Sequence, residues 1–273
     1  MQKNLLLSAF SFLLSIFIIS VTVIWDYHNS NSEQEELYDS LASTVSDNEA
    51  SNDEIETSEE SIIETSNTSI PDAHIEMPQV KQILPEYEEL YEQNHDIVGW
   101  ISITDTKINY PVMQSINEPN FYLNHSFDKT PSDYGCPYVQ ENCDVQKPSD
   151  NIVIHGHHLK NGSMFTDLMK FKDKEFWDEH IRITFNTLTE RNEYEVIAVF
   201  KTVVYTGMED EFKYFLFTDA EIPEQFDEYV SRCKEISLYD TGISAKYGDK
   251  LITLSTCEYS NSNGRLVVVA KRI

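Results

Sequence analysis

Basic residues are scarce in this chain. Its 273 residues include 20 Lys and Arg against 47 Asp and Glu, which gives a formal net charge of −27. Residues 26–80 contain no Lys or Arg at all, although they hold fifteen Asp and Glu. Because nucleic acids and anionic lipids attract basic surfaces, this balance argues against both as ligands.

Cysteine is also rare, with four residues and no Cys-x-x-C pair. The missing pair argues against a thiol redox enzyme. Cys136 and Cys143 lie close together in a loop-like stretch, and the sequence leaves open whether they form a local disulfide or remain two thiols. Cys233 falls on the apolar face of a predicted helix, so we expect it in the core. Cys257 is left as the candidate nucleophile.

Cys257 lies at the end of an apolar, β-branched run (residues 251–257, LITLSTC), and Arg265 opens a second such run after a polar loop. The pattern predicts two strands with the thiol at the end of one and the guanidinium at the start of the next. A thiol beside a permanent cation is typical of a nucleophile. A buried cysteine that happens to precede a basic residue fits this segment alone equally well.

A second short strand, predicted at residues 152–154, runs into the sequence His155-Gly156-His157-His158. A thiol with its ordinary pKa of about 8.5 is mostly protonated at neutral pH, so a nucleophilic cysteine needs a base or a cation nearby. These histidines offer one. His-x-His also occurs in zinc and copper sites, but no cysteine or carboxylate accompanies it at metal-ligand spacing. We therefore expect neither a metal nor another cofactor.

Taken together, these motifs resemble those of the sortases, and class B in particular. The matching stretches are IHGHHLKNGSMF (154–165), TLSTC (253–257), GR (264–265), DIVGWISI (96–103), TKINYPVMQ (106–114) and FYLNH (121–125). They cover about residues 82–273 in family order. The resemblance implies a mainly β fold, an eight-stranded β-barrel with an N-terminal helix and an extra helix before the last strands.

The resemblance also implies an activity. Sortases are cysteine transpeptidases that cut a sorting signal near the C-terminus of a secreted protein, form a thioacyl enzyme and pass the acyl group to an amine. On that pattern Cys257 attacks the carbonyl, and His157, directly after the motif glycine, exchanges protons with the two amines. Arg265 would hold the substrate or stabilise the oxyanion. The acceptor is either a peptidoglycan amine or, in the alternative, a pilin lysine.

Substrate contacts carry over from the same resemblance. They fall on Leu123, Tyr214, Ser255, Thr256 and Glu258. The chain departs from the family pattern at Pro119, where relatives have Asn and where Asn120 is the nearest substitute. It also departs in GCPYVQ (135–140), where relatives read Gly-x-x-Phe-x-Asp, and at His155, where they usually have Tyr.

Two other classes of protein compete with a transpeptidase. A papain-like or NlpC-like cysteine peptidase uses the same two side chains, but its cysteine precedes its histidine. Here His157 precedes Cys257, which argues against that class. The second class is a catalytically idle wall-binding module, and the joint presence of His, Cys and Arg in their motifs argues against it.

The N-terminal third predicts attachment to a membrane. Residues 5–25 carry no charge and are long enough to cross a bilayer. A cleaved signal peptide is the alternative, although no small-x-small cleavage site precedes Asp26. Lys3 before the span and Asp26 after it predict a cytoplasmic N-terminus and an extracellular remainder. We therefore expect a cytoplasmic N-terminus and transmembrane anchor in residues 1–25.

Residues 26–80 have few aromatics and no sustained apolar period, so they cannot offset the entropy of ordering, and we expect a disordered acidic stalk. A flexible chain of that length reaches about 40 Å. The catalytic domain is predicted at residues 81–273. Its expected helices are 83–91, 163–180 and 222–236, and its expected strands are 99–103, 107–113, 152–154, 182–186, 193–205, 251–255 and 265–271.

Overall fold

The computed structural model describes residues 2–59, 82–205, 207 and 211–273. The chain separates into two units, Met1–Ser43 and Thr44–Ile273. Helix α1 runs from Gln2 to Glu59. Residues 26–59 were expected to be disordered and are helical instead. No proline or glycine interrupts residues 2–59, so nothing in the local sequence ends a helix there. The rest of the predicted stalk, residues 60–80, lies outside the described residues.

The predicted membrane span at residues 5–25 falls within α1. Among the described residues, no helix combines the length and the apolar character that crossing a bilayer requires.

Helix α2 (Pro85–Gln93) follows, and it confirms the helix predicted at 83–91. Pro85 lies in its first turn, where a missing backbone N–H costs no hydrogen bond. Tyr87 and Leu90 on its inner face are buried, and the Tyr87 hydroxyl accepts a hydrogen bond from Asn186 at 3.0 Å. The helix therefore packs on the barrel that comes after it.

Eight strands close into a β-barrel, as predicted. They are β1 (Ile97–Ser102), β2 (Asn109–Met113), β3 (Tyr138–Val139), β4 (Asn151–His155), β5 (Arg182–Thr187), β6 (Glu193–Val203), β7 (Leu251–Cys257) and β8 (Gly264–Arg272). Their order around the barrel is β1-β2-β3-β4-β7-β8-β6-β5, and β5 pairs with β1 to complete the circuit. Strand β3 is the one member that the sequence did not predict.

The pairing of β4 with β7 decides where the histidines lie. The two strands are parallel, with Ile154 beside Leu254 and His155 beside Ser255. Strand β8 pairs antiparallel with β7 on its other side, which sets Arg265 opposite Cys257. The chain segments that follow β4, end β7 and begin β8 therefore meet at one end of the barrel.

Helix α4 (Pro223–Glu235) confirms the helix predicted at 222–236. Its inner face, including Phe226, Tyr229 and Cys233, is buried in one hydrophobic cluster with residues of β6 and β8, among them Phe200 and Val267. Cys233 is fully buried, as the sequence predicted. The helix thus covers the outside of the barrel between β6 and β7.

The helix expected at 163–180 is divided in two. A 3-10 helix covers Phe165–Lys172 and helix α3 covers Lys174–Glu179, with Asp173 extended between them. Leu168 and Phe171 of the first segment are fully buried. Burial of these side chains against the barrel favours the break at Asp173 over one continuous helix.

Cys136 and Cys143, which the sequence left open, are both thiols in buried positions. The Cys136 thiol donates to the carbonyl oxygen of Pro111 at 3.5 Å, and the Cys143 thiol to that of Asn151 at 3.7 Å. Burial raises the pKa of Cys143 to about 11. The Cys143 thiol therefore stays protonated at neutral pH, unlike a nucleophile.

Candidate active site

Cys257 ends β7 and is half-buried. Directly across the β7–β8 ladder stands Arg265, also half-buried. One guanidinium nitrogen of Arg265 donates to the carbonyl oxygen of Gly264 at 2.9 Å. This bond to its own neighbour's backbone leaves other N–H groups of the guanidinium for a substrate, since Arg has five donors.

His157 follows β4, two residues beyond the position that pairs with Ser255 of β7. Its Nε2 atom lies 2.7 Å from the carbonyl oxygen of Leu123. A carbonyl oxygen only accepts hydrogen bonds, so Nε2 carries a proton. Proton exchange with a substrate is therefore left to Nδ1, in a ring whose orientation the Leu123 carbonyl fixes.

Gly156 allows close packing where β4 leads into His157. A Cβ atom at this position would lie 2.5 Å from the ring of Phe165, which is fully buried. The backbone N–H of Phe165 also donates to the carbonyl oxygen of His157 at 2.8 Å. The histidine backbone is thus held tightly against the start of the 3-10 helix.

A cleft of about 640 Å³ contains all three predicted catalytic side chains. Its lining residues are Asn120, Leu123, Tyr138, Gln140, Glu141, Asn142, His155, Gly156, His157, Val204, Tyr205, Tyr214, Phe215, Leu216, Ser255, Thr256, Cys257 and Arg265. Thiol, imidazole and guanidinium therefore face one space large enough for a peptide segment.

The other two histidines have different surroundings. Burial and the nearby Arg265 charge lower the pKa of His155 to about 4, so this ring is neutral at neutral pH, and its Nε2 lies 3.2 Å from Gln140 Oε1. His158 Nδ1 lies 2.9 Å from the carbonyl oxygen of Cys257. The three rings thus have three separate partners, and the described residues contain no group of three or more potential metal ligands.

Four of the five predicted substrate contacts line the cleft: Leu123, Tyr214, Ser255 and Thr256. Two of their hydroxyl groups bond to each other, Tyr214 Oη to Ser255 Oγ at 2.6 Å, and burial raises the pKa of Tyr214 to about 12. The Thr256 hydroxyl donates to the carbonyl oxygen of Gly156 at 2.8 Å. These hydroxyls hold the cleft wall together.

Glu258, the fifth predicted contact, is placed elsewhere. It is 6% exposed and lies outside the set of described residues that line the cleft. Its carboxylate pairs with Lys201 of β6 at 3.2 Å. The acid next to the cysteine therefore faces the barrel wall.

The sequence did not assign Tyr138, Gln140 or Tyr205 to the cleft, although all three line it. Tyr138 donates its hydroxyl proton to Asn120 Oδ1 at 2.8 Å, and Gln140 donates to the carbonyl oxygen of Phe215 at 2.8 Å. Tyr138 and Gln140 occupy the two positions where GCPYVQ departs from the pattern of the relatives. That departure was the signal that could have identified them.

Known proteins are similar to this chain in sequence and in fold. A family model described as a sortase domain matches residues 101–273. Sortase B of Listeria monocytogenes is 31% identical over 196 residues, which are 70% of this chain and 76% of that protein. Sortase B of Staphylococcus aureus is 29% identical over 195 residues, 71% of this chain and 77% of the relative. A Staphylococcus aureus sortase B–substrate complex has the same fold, with a TM-score of 0.69 at 24% identity over 89% of this chain and 97% of the other.

A closed eight-stranded barrel that presents a cysteine, a histidine and an arginine in one cleft defines a cysteine transpeptidase class. The chain belongs to the sortase family, and its similarity to the two sortase B proteins identifies it as a transpeptidase of the sortase B type.

Proposed function

We propose that this enzyme cleaves a C-terminal sorting signal of a secreted protein through a thioacyl intermediate on Cys257, and transfers the acyl group to an amine of peptidoglycan. The observation that carries the proposal is the register pair of Cys257 with Arg265, with His157 in the same cleft. A thiol that shares a cleft with a base and a cation is suited to nucleophilic acyl transfer.

The chemistry assigned to these residues balances in two steps. Nδ1 of His157 first takes the proton of the Cys257 thiol. The sulfur then attacks the scissile carbonyl, the C–N bond breaks, and the leaving amine takes that proton from His157. The incoming amine then attacks the thioester while His157 removes its proton, and the Cys257 sulfur leaves. Because the Leu123 carbonyl holds Nε2, we assign these proton transfers to Nδ1 of His157.

We assign two roles to Arg265: it stabilises the oxyanion, and it binds the backbone of the sorting signal. Its free N–H groups form a planar fork that matches carbonyl oxygens better than a point charge does. Its position opposite Cys257 supports this role, since the oxyanion forms on the oxygen bonded to the carbon that the sulfur attacks. Leu123, Tyr214, Ser255 and Thr256 would form the wall along which the peptide lies.

The relatives support a peptide as the substrate. The Staphylococcus aureus structure is described as a complex of sortase B with its substrate, and we propose that the corresponding cleft here takes a peptide of the same kind. We further propose that residues 5–25 anchor the protein once in the cell membrane with the catalytic domain outside. The uncharged run in those residues supports that location.

The test is a reaction of the purified protein with labelled sorting-signal peptides and small amines. Ligation of label to amine is the expected result, whereas hydrolysis alone would indicate a peptidase. Absence of turnover with every peptide would favour an idle wall-binding module.

Mass spectrometry of the same reactions locates the intermediate. We expect a thioacyl adduct on Cys257 in the native protein and none on Cys257→Ala, which retains the other three thiols as an internal control. Circular dichroism should show that the variant is folded. An adduct on the alanine variant would contradict the assignment of the nucleophile.

A further inference from the structure

The residue after the nucleophile, Glu258, has a buried carboxylate that the proposed chemistry does not use. The residue is 6% exposed and does not line the catalytic cleft. Burying a charge is costly unless hydrogen bonds or an opposite charge compensate it, so we looked for the partners of this carboxylate.

Three side chains surround this carboxylate. Lys201 Nζ on β6 lies 3.2 Å from Glu258 Oε1 and also donates to Ser260 Oγ at 2.8 Å. The Ser260 backbone N–H donates to Glu258 Oε2 at 3.1 Å, and its hydroxyl donates to the same oxygen. Lys172 Nζ is more distant, at 4.0 Å. The Ser260 hydrogen bond, with Lys201 beside it, lowers the pKa of Glu258, so the carboxylate is charged at neutral pH.

The backbone of the β7–β8 loop is equally constrained. Glu258 N–H donates to the carbonyl oxygen of Gly264 at 2.9 Å, and Gly264 N–H to that of Asn261 at 3.1 Å. A Cβ atom at Gly264 would lie 2.2 Å from the Glu258 carbonyl oxygen. Residues 258 and 264 are thus locked together, and the adjacent pair in the ladder is Cys257 with Arg265.

Strand β6 holds Arg265 from its other side. Thr202 pairs with Arg265 and Lys201 with Leu266 across the β6–β8 ladder. Lys201 therefore extends from the strand beside Arg265 to the loop beside Cys257. The Lys201–Glu258 ion pair therefore links β6 to the residue after Cys257 and crosses β8, which lies between them.

We infer that Glu258 is a positioning residue: with Lys201 and Ser260 it fixes the Arg265 guanidinium relative to the Cys257 sulfur and makes no contact with the peptide. The inference goes beyond the proposed function and rests on it only where ligation is the readout. It replaces the substrate contact that the family resemblance implies at this position.

The two roles predict different kinetics. Loss of a substrate contact made equally in the ground state and the transition state raises KM at constant kcat, whereas misplacing a transition-state donor lowers kcat. We expect Lys201→Met to lower kcat by about tenfold or more and to raise KM by a smaller factor. Lys201→Arg, which restores the ion pair, should recover most of kcat.

The chain supplies a matched control at the opposite ends of β4 and β7. Lys250 pairs with Asp150 at 2.9 Å, and its side chain is 35% exposed, as is that of Lys201. Lys250→Met removes a lysine ion pair of similar exposure far along the strand from Cys257. We expect it to leave kcat and KM near native values. Equal kinetic effects of Lys201→Met and Lys250→Met would overturn the inference.

A second readout does not depend on the substrate. Displacing the guanidinium should slow alkylation of Cys257 by iodoacetamide at neutral pH, so Lys201→Met and Glu258→Gln should both approach the rate of Arg265→Met. Lys250→Met should alkylate at the native rate. If the native protein did not join the peptide to an amine, the proposed function would be wrong, but the alkylation rates would still test the positioning role. Native alkylation rates in folded Glu258→Gln or Lys201→Met would contradict it.

Discussion

Arg265 faces Cys257 across two adjacent strands and is bound through one nitrogen to a backbone carbonyl. Lysine at this position would keep the positive charge but lose the planar fork, so an oxyanion would no longer be met in the same place. We expect Arg265→Lys to lose about 10² to 10³ in turnover, the usual cost of one preorganised donor. Ligation rates across pH check this, with melting temperatures as the control for folding. Near-native rates for the lysine variant would show that only the positive charge of Arg265 matters, and not the geometry of its guanidinium.

His155 provides a prediction about pH. Its pKa in the folded protein is about 4, below the unfolded value of about 6.5, so between these values the unfolded chain binds the extra proton. Stability is therefore lost as the pH falls through this window. Relative to His155→Tyr, the native protein should lose about 1 to 2 kcal/mol between pH 7 and pH 5. Urea unfolding of both proteins at the two pH values tests this, and parallel changes would show that His155 protonates freely.

Among elements, the segment that leads from β4 into His157 depends on close packing. Gly156 has no room for a Cβ atom beside the buried Phe165 ring. We expect Gly156→Ala to destabilise the fold by about 1 to 3 kcal/mol, as overpacking does, and to lower activity by displacing His157. Phe165→Leu creates the missing space, so the double variant should be more stable than the sum of the two single changes predicts. Denaturant unfolding of all four proteins measures this coupling, and strict additivity would contradict the packing argument.

The elements that carry the proposed chemistry were the most predictable ones. Strands β4, β7 and β8 are rich in apolar and β-branched residues, because each is largely buried in the barrel wall. Strand β3 has two residues in a stretch that begins Gly-Cys-Pro, so its pairing with β2 and β4 leaves no periodic pattern. The partners of Glu258 could not be predicted from the sequence either. Lys201 lies on β6, far from Glu258 in the sequence, and no local sequence pattern indicates an ion pair between the two.

At the scale of the whole molecule, Arg191 connects separate parts of the unit that begins at Thr44. It pairs with the fully buried Glu86 of α2 at 2.6 Å and with Glu49 of α1 at 3.8 Å. Arg191→Ala leaves the Glu86 carboxylate buried without this cation, and we expect a loss of about 3 kcal/mol in unfolding free energy. Arg191→Ala combined with Glu86→Leu should recover most of it, because no buried charge remains. Thermal and denaturant unfolding decide this, and a neutral Arg191→Ala would show that Glu86 has another source of compensation.

The helical character of residues 26–59 shows where composition misled. Their acidity and polarity indicated disorder, yet no proline or glycine interrupts them. Val45 within this stretch is 6% exposed, and Glu49 has a cationic partner in Arg191. Such tertiary contacts are distant in sequence, so composition could not reveal them.

The parallel pairing of β4 with β7 also bears on when the enzyme becomes active. His155 and Ser255 are neighbours in space although about a hundred residues separate them in the chain, and β8 must pair with both β6 and β7 before Arg265 is in place. Long-range pairings of this kind form late in folding, after the entropy of closing large loops has been overcome. A chain still emerging from the ribosome would therefore hold Cys257 apart from His157 and Arg265. The reactive centre would mature only after the last strand has joined the barrel, which would protect the cell from a prematurely acylating enzyme.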